Sequence, residues 1–296
     1  MIYVIDLFCG CGGFSTGAVQ AGAKIILAVD KWKDALDVHA LNHPEAEHIC
    51  TELGGDAEEF ALSLEAFIQS NVPEGSHVHL HASPPCQHLS KANPMRDTGI
   101  GMSLVNWSIS LAELLKARGI IKTWSLEQVA ATPMKELMPE HGGRVLKLDQ
   151  FGVPQTRRRA ILGNINFEAI SEYEEAPRTL QQLMDGLNIA APEGFDLTHA
   201  GHGLKKRLPC GKESYSCRQF DQTCSTILSS HPSFYSTAQA RSTAFPLILA
   251  AEAQVFPRSY IFPPELGNKN LRLMVANAVS PRLSKILIEL AARTVV

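Results

Sequence analysis

Ile2-Tyr3-Val4-Ile5-Asp6-Leu7-Phe8-Cys9-Gly10-Cys11-Gly12-Gly13-Phe14 opens the chain, and its reading decides the fold class. The apolar run Ile2–Phe8 predicts a strand, Gly10–Gly13 a tight turn, and Phe14–Ala21 a helix. Glycine lets the backbone approach a ligand closely, so a strand–turn–helix unit of this kind is a place where a ligand can sit. Working outward, short apolar runs alternate with longer amphipathic ones. Strands are predicted at Lys24–Val29, Val78–Ala82, Ile120–Leu126 and Arg159–Gly163, and helices at Lys33–Leu41, Ala57–Gln69 and Leu104–Arg118. Strands joined by crossover helices imply an α/β fold.

The 296 residues allow one large domain or two modest ones. Charged residues make up 19% and the formal net charge is -3, which excludes a basic nucleic-acid coat and leaves contact with a polyanion to a local patch. The 7 cysteines, odd in number, form no regular framework and follow no leader, so a reduced intracellular setting is expected. No apolar run approaches a membrane span, and a soluble protein is expected. Composition shifts after Asn164: residues 165–245 carry Pro, Gly, Ser and His with weak periodicity and read as a smaller, loop-rich domain. Regularity returns near Leu247, and Leu271–Ala292 reads as a final helix.

Ser83-Pro84-Pro85-Cys86-Gln87-His88 follows a predicted strand. Two prolines fix φ and remove two backbone donors, so Cys86 sits on a pre-shaped loop. A thiol held that way suits a nucleophile, although a buried structural cysteine fits the same pattern. Asp30, ending the second predicted strand, is placed to bind both hydroxyls of a ribose. The turn lacks the third-glycine spacing of a dinucleotide fingerprint, which favours another nucleoside-like ligand. Trp32 reads equally as a core aromatic, and Asp56 as a cap on the helix beginning at Ala57. Arg157 and Arg159 fall on one face if their segment is extended, with Arg158 opposite; a surface cluster is the alternative. Lys205, Lys206, Arg207, Lys212 and Arg218 bias the loop-rich region towards phosphate contacts or a solvated loop. Cys210, Cys217 and Cys224 with His199 and His202 match no common zinc knuckle, and no metal is expected.

Five motifs, taken in chain order, resemble the cytosine-C5 methyltransferase family. They are Asp6–Phe14, Pro84-Pro85-Cys86-Gln87, Glu127-Gln128-Val129, Gln155-Thr156-Arg157-Arg158-Arg159 and Ala276-Asn277-Ala278-Val279. The match runs from residue 5 to about residue 164 and resumes near 245. It implies a Rossmann-like methyltransferase fold with a smaller inserted target-recognition domain: a catalytic domain over 1–164, recognition over 165–264, and a segment 265–296 returning to the catalytic domain.

The implied cofactor is S-adenosylmethionine. By resemblance Phe8, Gly10, Cys11, Gly12 and Gly13 face its methionine portion, Asp30 the ribose, Trp32 the adenine face and Asp56 the adenine amine, with Asp6, Lys31 and Ala57 in the same cofactor-binding set. Pro84, Asn277 and Val279 complete that set, with Ala276 standing where glycine is usual. The implied chemistry is addition of Cys86 to C6 of a cytosine, which makes C5 nucleophilic towards the sulfonium methyl. Glu127 is the acid at the N3 edge and must carry a proton while the base is bound. Arg157 and Arg159, with Gln155 upstream, are read as holding the cytosine carbonyl and a phosphate or the nucleophile loop. Gln128 replaces the family's usual asparagine, which bears on rate more than on reaction type.

The implied partner is double-stranded DNA with its target base flipped out of the stack. A monomer is expected, acting in a prokaryotic, phage or viral cytoplasmic setting such as a restriction–modification system, or in a nucleus if eukaryotic. Three alternatives stay open. An RNA cytosine-C5 methyltransferase shares the mechanism, but this chain lacks the Cys-Phe-Thr tract of the tRNA-modifying branch. A catalytically impaired DNA-binding relative would not need both Cys86 and Glu127. A small-molecule methyltransferase leaves the Pro-Pro-Cys-Gln loop unexplained.

Overall fold

A computed structural model gives the structure of residues 1–90, 95, 97–199, 206–207, 213–214, 217–228, 233–239 and 241–294, with backbone only at 197–199, 206–207, 213–214 and 217. The chain divides into two compact units. Unit one comprises Met1–Leu146, Arg158–Tyr173 and Leu283–Val296; unit two comprises Lys147–Arg157 and Glu174–Arg282. The units divide elsewhere than the expected boundaries at 164 and 264. Residues 147–157 belong with unit two, and only the last stretch, from Leu283, returns to unit one.

Unit one holds β1 (Ile2–Leu7), α1 (Gly13–Gln20), β2 (Lys24–Asp30), α2 (Lys33–Asn42), β3 (Glu47–Cys50), α3 (Ala57–Asn71) and β4 (His77–Ala82). It continues with α4 (Thr98–Ala117), β5 (Thr123–Val129), the short α5 (Thr132–Glu136) and α6 (Met138–His141), β6 (Gly143–Lys147) and β7 (Arg158–Gly163). The strands form one sheet in the order β3-β2-β1-β4-β5-β7-β6. The pairs β1–β2, β2–β3, β1–β4 and β4–β5 are parallel, and β5–β7 is antiparallel. This is a Rossmann-like α/β sheet whose strand order reverses between β1 and β4.

Strand alternation gives the sheet two faces of different chemistry. Ile5, Leu7, Val78, Leu80, Ala82, Trp124 and Leu126 share one apolar core with Ala61, Leu64 and Ile68 of α3 and Val105, Leu111 and Leu115 of α4. The intervening positions Asp6, His79, His81, Thr123 and Ser125 are polar and fully buried. Phe14 of α1 covers that second face, its ring stacked on His81 with centroids 3.5 Å apart.

Helix α4 begins six residues before the predicted Leu104, because Asp97 caps it: its carboxylate accepts from the backbone N–H of Gly99 at 2.9 Å and of Ile100 at 3.2 Å. Residues 98–102 are therefore helical. The predicted final helix is two helices, α9 (Gly267–Asn277) and α10 (Pro281–Ala292). Ala278 is extended (φ -60°, ψ 144°), and Pro281 brings no N–H to continue a helix.

Unit two adds α7 (Leu180–Gly186), β8 (Leu197–His199), β9 (Lys206–Arg207), β10 (Glu213–Ser214), β11 (Cys217–Arg218), β12 (Ser233–Ser236), β13 (Arg241–Ala244) and α8 (Leu247–Ala253) before α9. Among the described residues β11-β8-β12-β13 make a four-stranded sheet and β10-β9 a two-stranded one. No helix among the described residues is long and apolar enough to cross a membrane.

Candidate active site

Strands β1, β4 and β5 are adjacent and parallel, so their carboxyl ends meet where the strand order reverses. In open α/β sheets that crevice is where ligands bind. β1 runs into the glycine turn, which is left-handed at Phe8 (φ 59°), Gly10 (φ 51°) and Gly12 (φ 89°). A phenylalanine at positive φ is held there only by its surroundings. The Asp30 carboxylate supplies part of that constraint. Its Oδ2 accepts from the Gly10 N–H and its Oδ1 from the Trp32 N–H, both at 2.8 Å. Phe8, Gly10, Asp30 and Trp32 are half-buried, whereas Cys11, Gly12 and Gly13 are buried. Lys31 is exposed and pairs with Glu52 at 2.7 Å.

Asp6 lies beneath this turn. It is fully buried, and the Ser15 hydroxyl of α1 donates to its Oδ2 at 2.7 Å. Asp56 is exposed and caps α3, accepting from the Glu58 N–H at 2.8 Å, with Ala57 half-buried beside it. The capping role expected of Asp56 is thus present.

The Cys86 loop is pinned from both sides. Ser83 donates from its N–H to the Leu7 carbonyl and from its hydroxyl to the Phe8 carbonyl, each at 3.2 Å, tying the loop to the β1 turn. Gln128 of β5, fully buried, donates from Nε2 to the Pro84 carbonyl at 3.0 Å, while its Oε1 accepts from the Val129 N–H at 2.8 Å. The Cys86 carbonyl then closes a turn, accepting from Leu89 N–H at 3.0 Å and Ser90 N–H at 2.8 Å. Helix α4 crosses so near that a Cβ on Gly101 would stand 2.6 Å from Leu89 Cγ, and only glycine fits. Cys86 itself is half-buried. By contrast, burial pushes the Cys11 and Cys224 thiols up to about 12, so both are inert as nucleophiles.

Glu127 sits inside β5, where the predicted strand would have ended before it. Arg159 of β7 reaches it, Nε lying 2.5 Å from Oε1, with both side chains about 10% exposed. The antiparallel register pairs Glu127 with Ile161 and Val129 with Arg159, which puts acid and guanidinium on the same sheet face. Charge-assisted contacts of this kind are short and strong when sheltered from water.

Residues 2–106, about the first third of the chain, match the family model for C-5 cytosine-specific DNA methylase. The type II methyltransferase M.HgiGI of Herpetosiphon aurantiacus is 40% identical over 99 residues, which cover 33% of this chain and 68% of that protein. The chain belongs to this family. M.HgiDI, a type II methyltransferase of the same organism, is 32% identical over 170 residues, 53% of this chain and 50% of that protein, so the chain spans half the length of that relative. A crystal structure of a DNMT2 mutant from Spodoptera frugiperda shares the fold: TM-score 0.67 at 15% identity, covering 99% of this chain and 100% of that one.

Family motifs are split between the units. Cys86, Glu127 and Arg159 stand in unit one; Gln155, Arg157, Asn277 and Val279 stand in unit two. There Gln155 is fully buried, donating to the Ala253 carbonyl at 2.9 Å and to Gln254 Oε1 at 2.7 Å, and accepting from the Ile227 N–H at 3.0 Å. The Arg157 guanidinium, 2% exposed, donates to the carbonyls of Ile227 (3.3 Å), Ala276 (3.1 Å) and Ala278 (3.4 Å). Two of those acceptors are at the C-terminal end of α9, whose partial negative charge suits a cation. Arg157 thus holds the backbone on either side of Asn277, which is exposed, and just before Val279, which is buried. Arg158 is exposed, as its parity predicted.

Lys205, Lys212, His202 and Cys210 lie outside the described residues, as do the side chains of Lys206, Arg207, His199 and Cys217. Arg218 donates from Nε to the Thr223 carbonyl at 2.6 Å, and Cys224 is buried against the Pro154 carbonyl at 3.0 Å. Sequence reasoning missed Gln254, whose only signal was a polar residue between Ala253 and Val255 at a helix end.

Proposed function

We propose that this protein methylates C5 of a cytosine flipped out of double-stranded DNA, with S-adenosylmethionine as methyl donor and Cys86 as nucleophile. One observation carries the reading. The cysteine loop is bonded to the β1 turn through Ser83 and to β5, beside Glu127, through Gln128. Nucleophile, cofactor turn and acid are therefore braced as one assembly, as pre-organised catalysis requires.

The turn suits the proposed cofactor. A Cβ added at Gly10 would meet nothing within 4 Å, so the backbone there faces open space. Each Asp30 oxygen accepts one backbone N–H and retains a lone pair for a ribose hydroxyl, and Trp32 offers a half-buried aromatic beside it. S-Adenosylmethionine, when bound, supplies an electrophilic methyl group on a sulfonium. Cytosine C5 is a poor nucleophile, and the Cys86 sulfur bonding to C6 pushes electron density to C5. Glu127 steadies the N3 edge as that charge develops, and Arg159 holds Glu127 in place. With the cofactor bound, C5 would take the methyl group and leave a neutral thioether behind; loss of the C5 proton and breaking of the C6–sulfur bond would then give 5-methylcytosine and free Cys86. Unit two is read as the target-recognition part, its β12–β13 hairpin presenting an exposed outer strand, Arg241–Ala244.

The test is incubation of the purified chain with methyl-labelled cofactor and separate DNA and RNA pools, followed by mapping of modified cytosines. Label in 5-methylcytosine of DNA supports the reading. Label confined to RNA redirects it, and label in neither overturns it.

A further inference from the structure

Beneath the cofactor turn runs a buried hydrogen-bonded chain that the methyl-transfer reading does not use. The Ser15 hydroxyl donates to Asp6 Oδ2 at 2.7 Å. His39 Nε2 of α2 lies 2.9 Å from Ser15 Oγ, and His39 Nδ1 lies 2.8 Å from Nε2 of His48, the half-buried residue of β3. Asp6, Ser15 and His39 are each 0% exposed, so His48 is where the chain reaches solvent. The other Asp6 oxygen, Oδ1, is buried with no hydrogen-bond partner among the described residues. A buried carboxylate with one oxygen unsatisfied is costly as an anion.

Resting on the reading of this turn as an S-adenosylmethionine site, we propose that cofactor binding is linked to ionisation of Asp6, whose proton exchanges with solvent through Ser15, His39 and His48. The step balances. Asp6 passes its proton to Ser15 Oγ, and the Ser15 hydroxyl proton moves to His39 Nε2. The His39 Nδ1 proton moves to His48 Nε2, and the resulting imidazolium releases one proton to water. Asp6 is left as a carboxylate accepting from Ser15, with both histidines neutral. The cofactor bears a sulfonium cation and its demethylated product a neutral thioether, so a charged Asp6 under the turn favours the first over the second.

The surroundings of Asp6 poise it for this. Burial first, and then the Asp30 carboxylate of β2, raise it to about 7, against the Ser15 hydrogen bond. The neighbouring groups do not offset that. Cys9 on the turn is a buried thiol raised well above its ordinary value, Cys11 stays protonated, and His81, the register partner of Asp6 on β4, is driven neutral by burial. His39 and His48 are likewise lowered by burial, so neither keeps the proton it passes on.

Calorimetry on the full chain, in buffers of differing ionisation enthalpy, tests the proposal with S-adenosylmethionine and with S-adenosylhomocysteine. Binding of the sulfonium compound should release protons near neutrality, and its affinity should rise about tenfold between about pH 6 and pH 8. The thioether should show neither effect, and Asp6→Asn should abolish both. If both compounds bind without proton release, the inference falls while the cofactor reading stands. If neither binds, both fall. Should Asp6→Asn not fold, carbon-13 titration of the wild-type Asp6 carboxyl decides: a midpoint near neutrality that drops on adding the sulfonium compound supports the proposal, and one in the ordinary carboxylate range overturns it. His39→Gln should keep the equilibrium linkage but slow proton release in stopped flow; an unchanged rate would overturn the relay.

Discussion

The two faces of the unit-one sheet come from the same strands and teach different lessons. On one, Leu80, Val78, Trp124 and Leu126 pack with α3 and α4 into a contiguous apolar core. Burying each such side chain contributes roughly 1.5–3 kcal/mol, with no directional demand. On the other, three histidines of β4 interlock with two hydroxyls of β5. His77 Nε2 and His79 Nδ1 meet Thr123 Oγ1 at 2.7 and 2.8 Å, and His79 Nε2 and His81 Nδ1 meet Ser125 Oγ at 2.9 and 2.8 Å. Thr123 and Ser125 share their face with Glu127, the proposed acid. The apolar face supplies stability, and the polar face fixes geometry at the end that carries Glu127 and ties it to protonation.

Substitutions can break this contrast. The largest effect should come from Glu127→Gln, which keeps shape but removes the acid. kcat should fall by about 10²–10⁴-fold, as for other lost acid–base groups, and the melting temperature should also drop because the sheltered Arg159 guanidinium loses its counter-charge. Leu80→Ala should instead only destabilise the chain, by about 2–5 kcal/mol in denaturant titration with near-normal kcat for the folded fraction. A smaller effect is expected for Gln128→Ala, which frees the Pro84 carbonyl. Losing one positioning contact should lower kcat by about tenfold with little change in cofactor affinity, and Gln128→Asn should recover part of it.

Acid sharpens the contrast further. Burial lowers His79 to about 3 and also lowers His39, His43, His48, His77 and His81. The unfolded chain therefore binds more protons at these sites below about 6.5, and stability falls as pH drops through that value. Asp6 works the other way, since its raised value makes the folded state bind the extra proton between 3.8 and about 7. Six histidines against one carboxyl should leave a net loss. Thermal melts from about pH 7.5 to about pH 5 should fall in the wild type. A flat profile would mean that the histidine face carries no such linkage.

Much of this arrangement was legible in residue order. The glycine turn and the alternating runs identify the strands of the switch point, because those strands are buried and apolar on at least one face. The edge strands were not legible: Glu47–Cys50 is short, polar and mostly exposed, and Gly143–Lys147 begins with glycine. Arg157 and Arg159 show where periodicity misleads. The two-residue spacing predicts one shared face, but β7 begins at Arg158, so Arg157 lies outside the strand and turns into the interior of unit two. The braces on the Cys86 loop were hidden for another reason. Ser83 and Gln128 are ordinary polar residues until the parallel register of β1, β4 and β5 supplies their partners.

The central claim is the transient bond between Cys86 and C6 of cytosine. It is tested most directly by offering the chain, with S-adenosylmethionine, a duplex carrying 5-fluorocytosine at a mapped target and digesting the product for mass spectrometry. The account predicts a covalent DNA–peptide adduct on Cys86 that is absent from Cys86→Ser, together with loss of turnover in that variant. Methylation of ordinary duplex at wild-type rate by Cys86→Ser would contradict it.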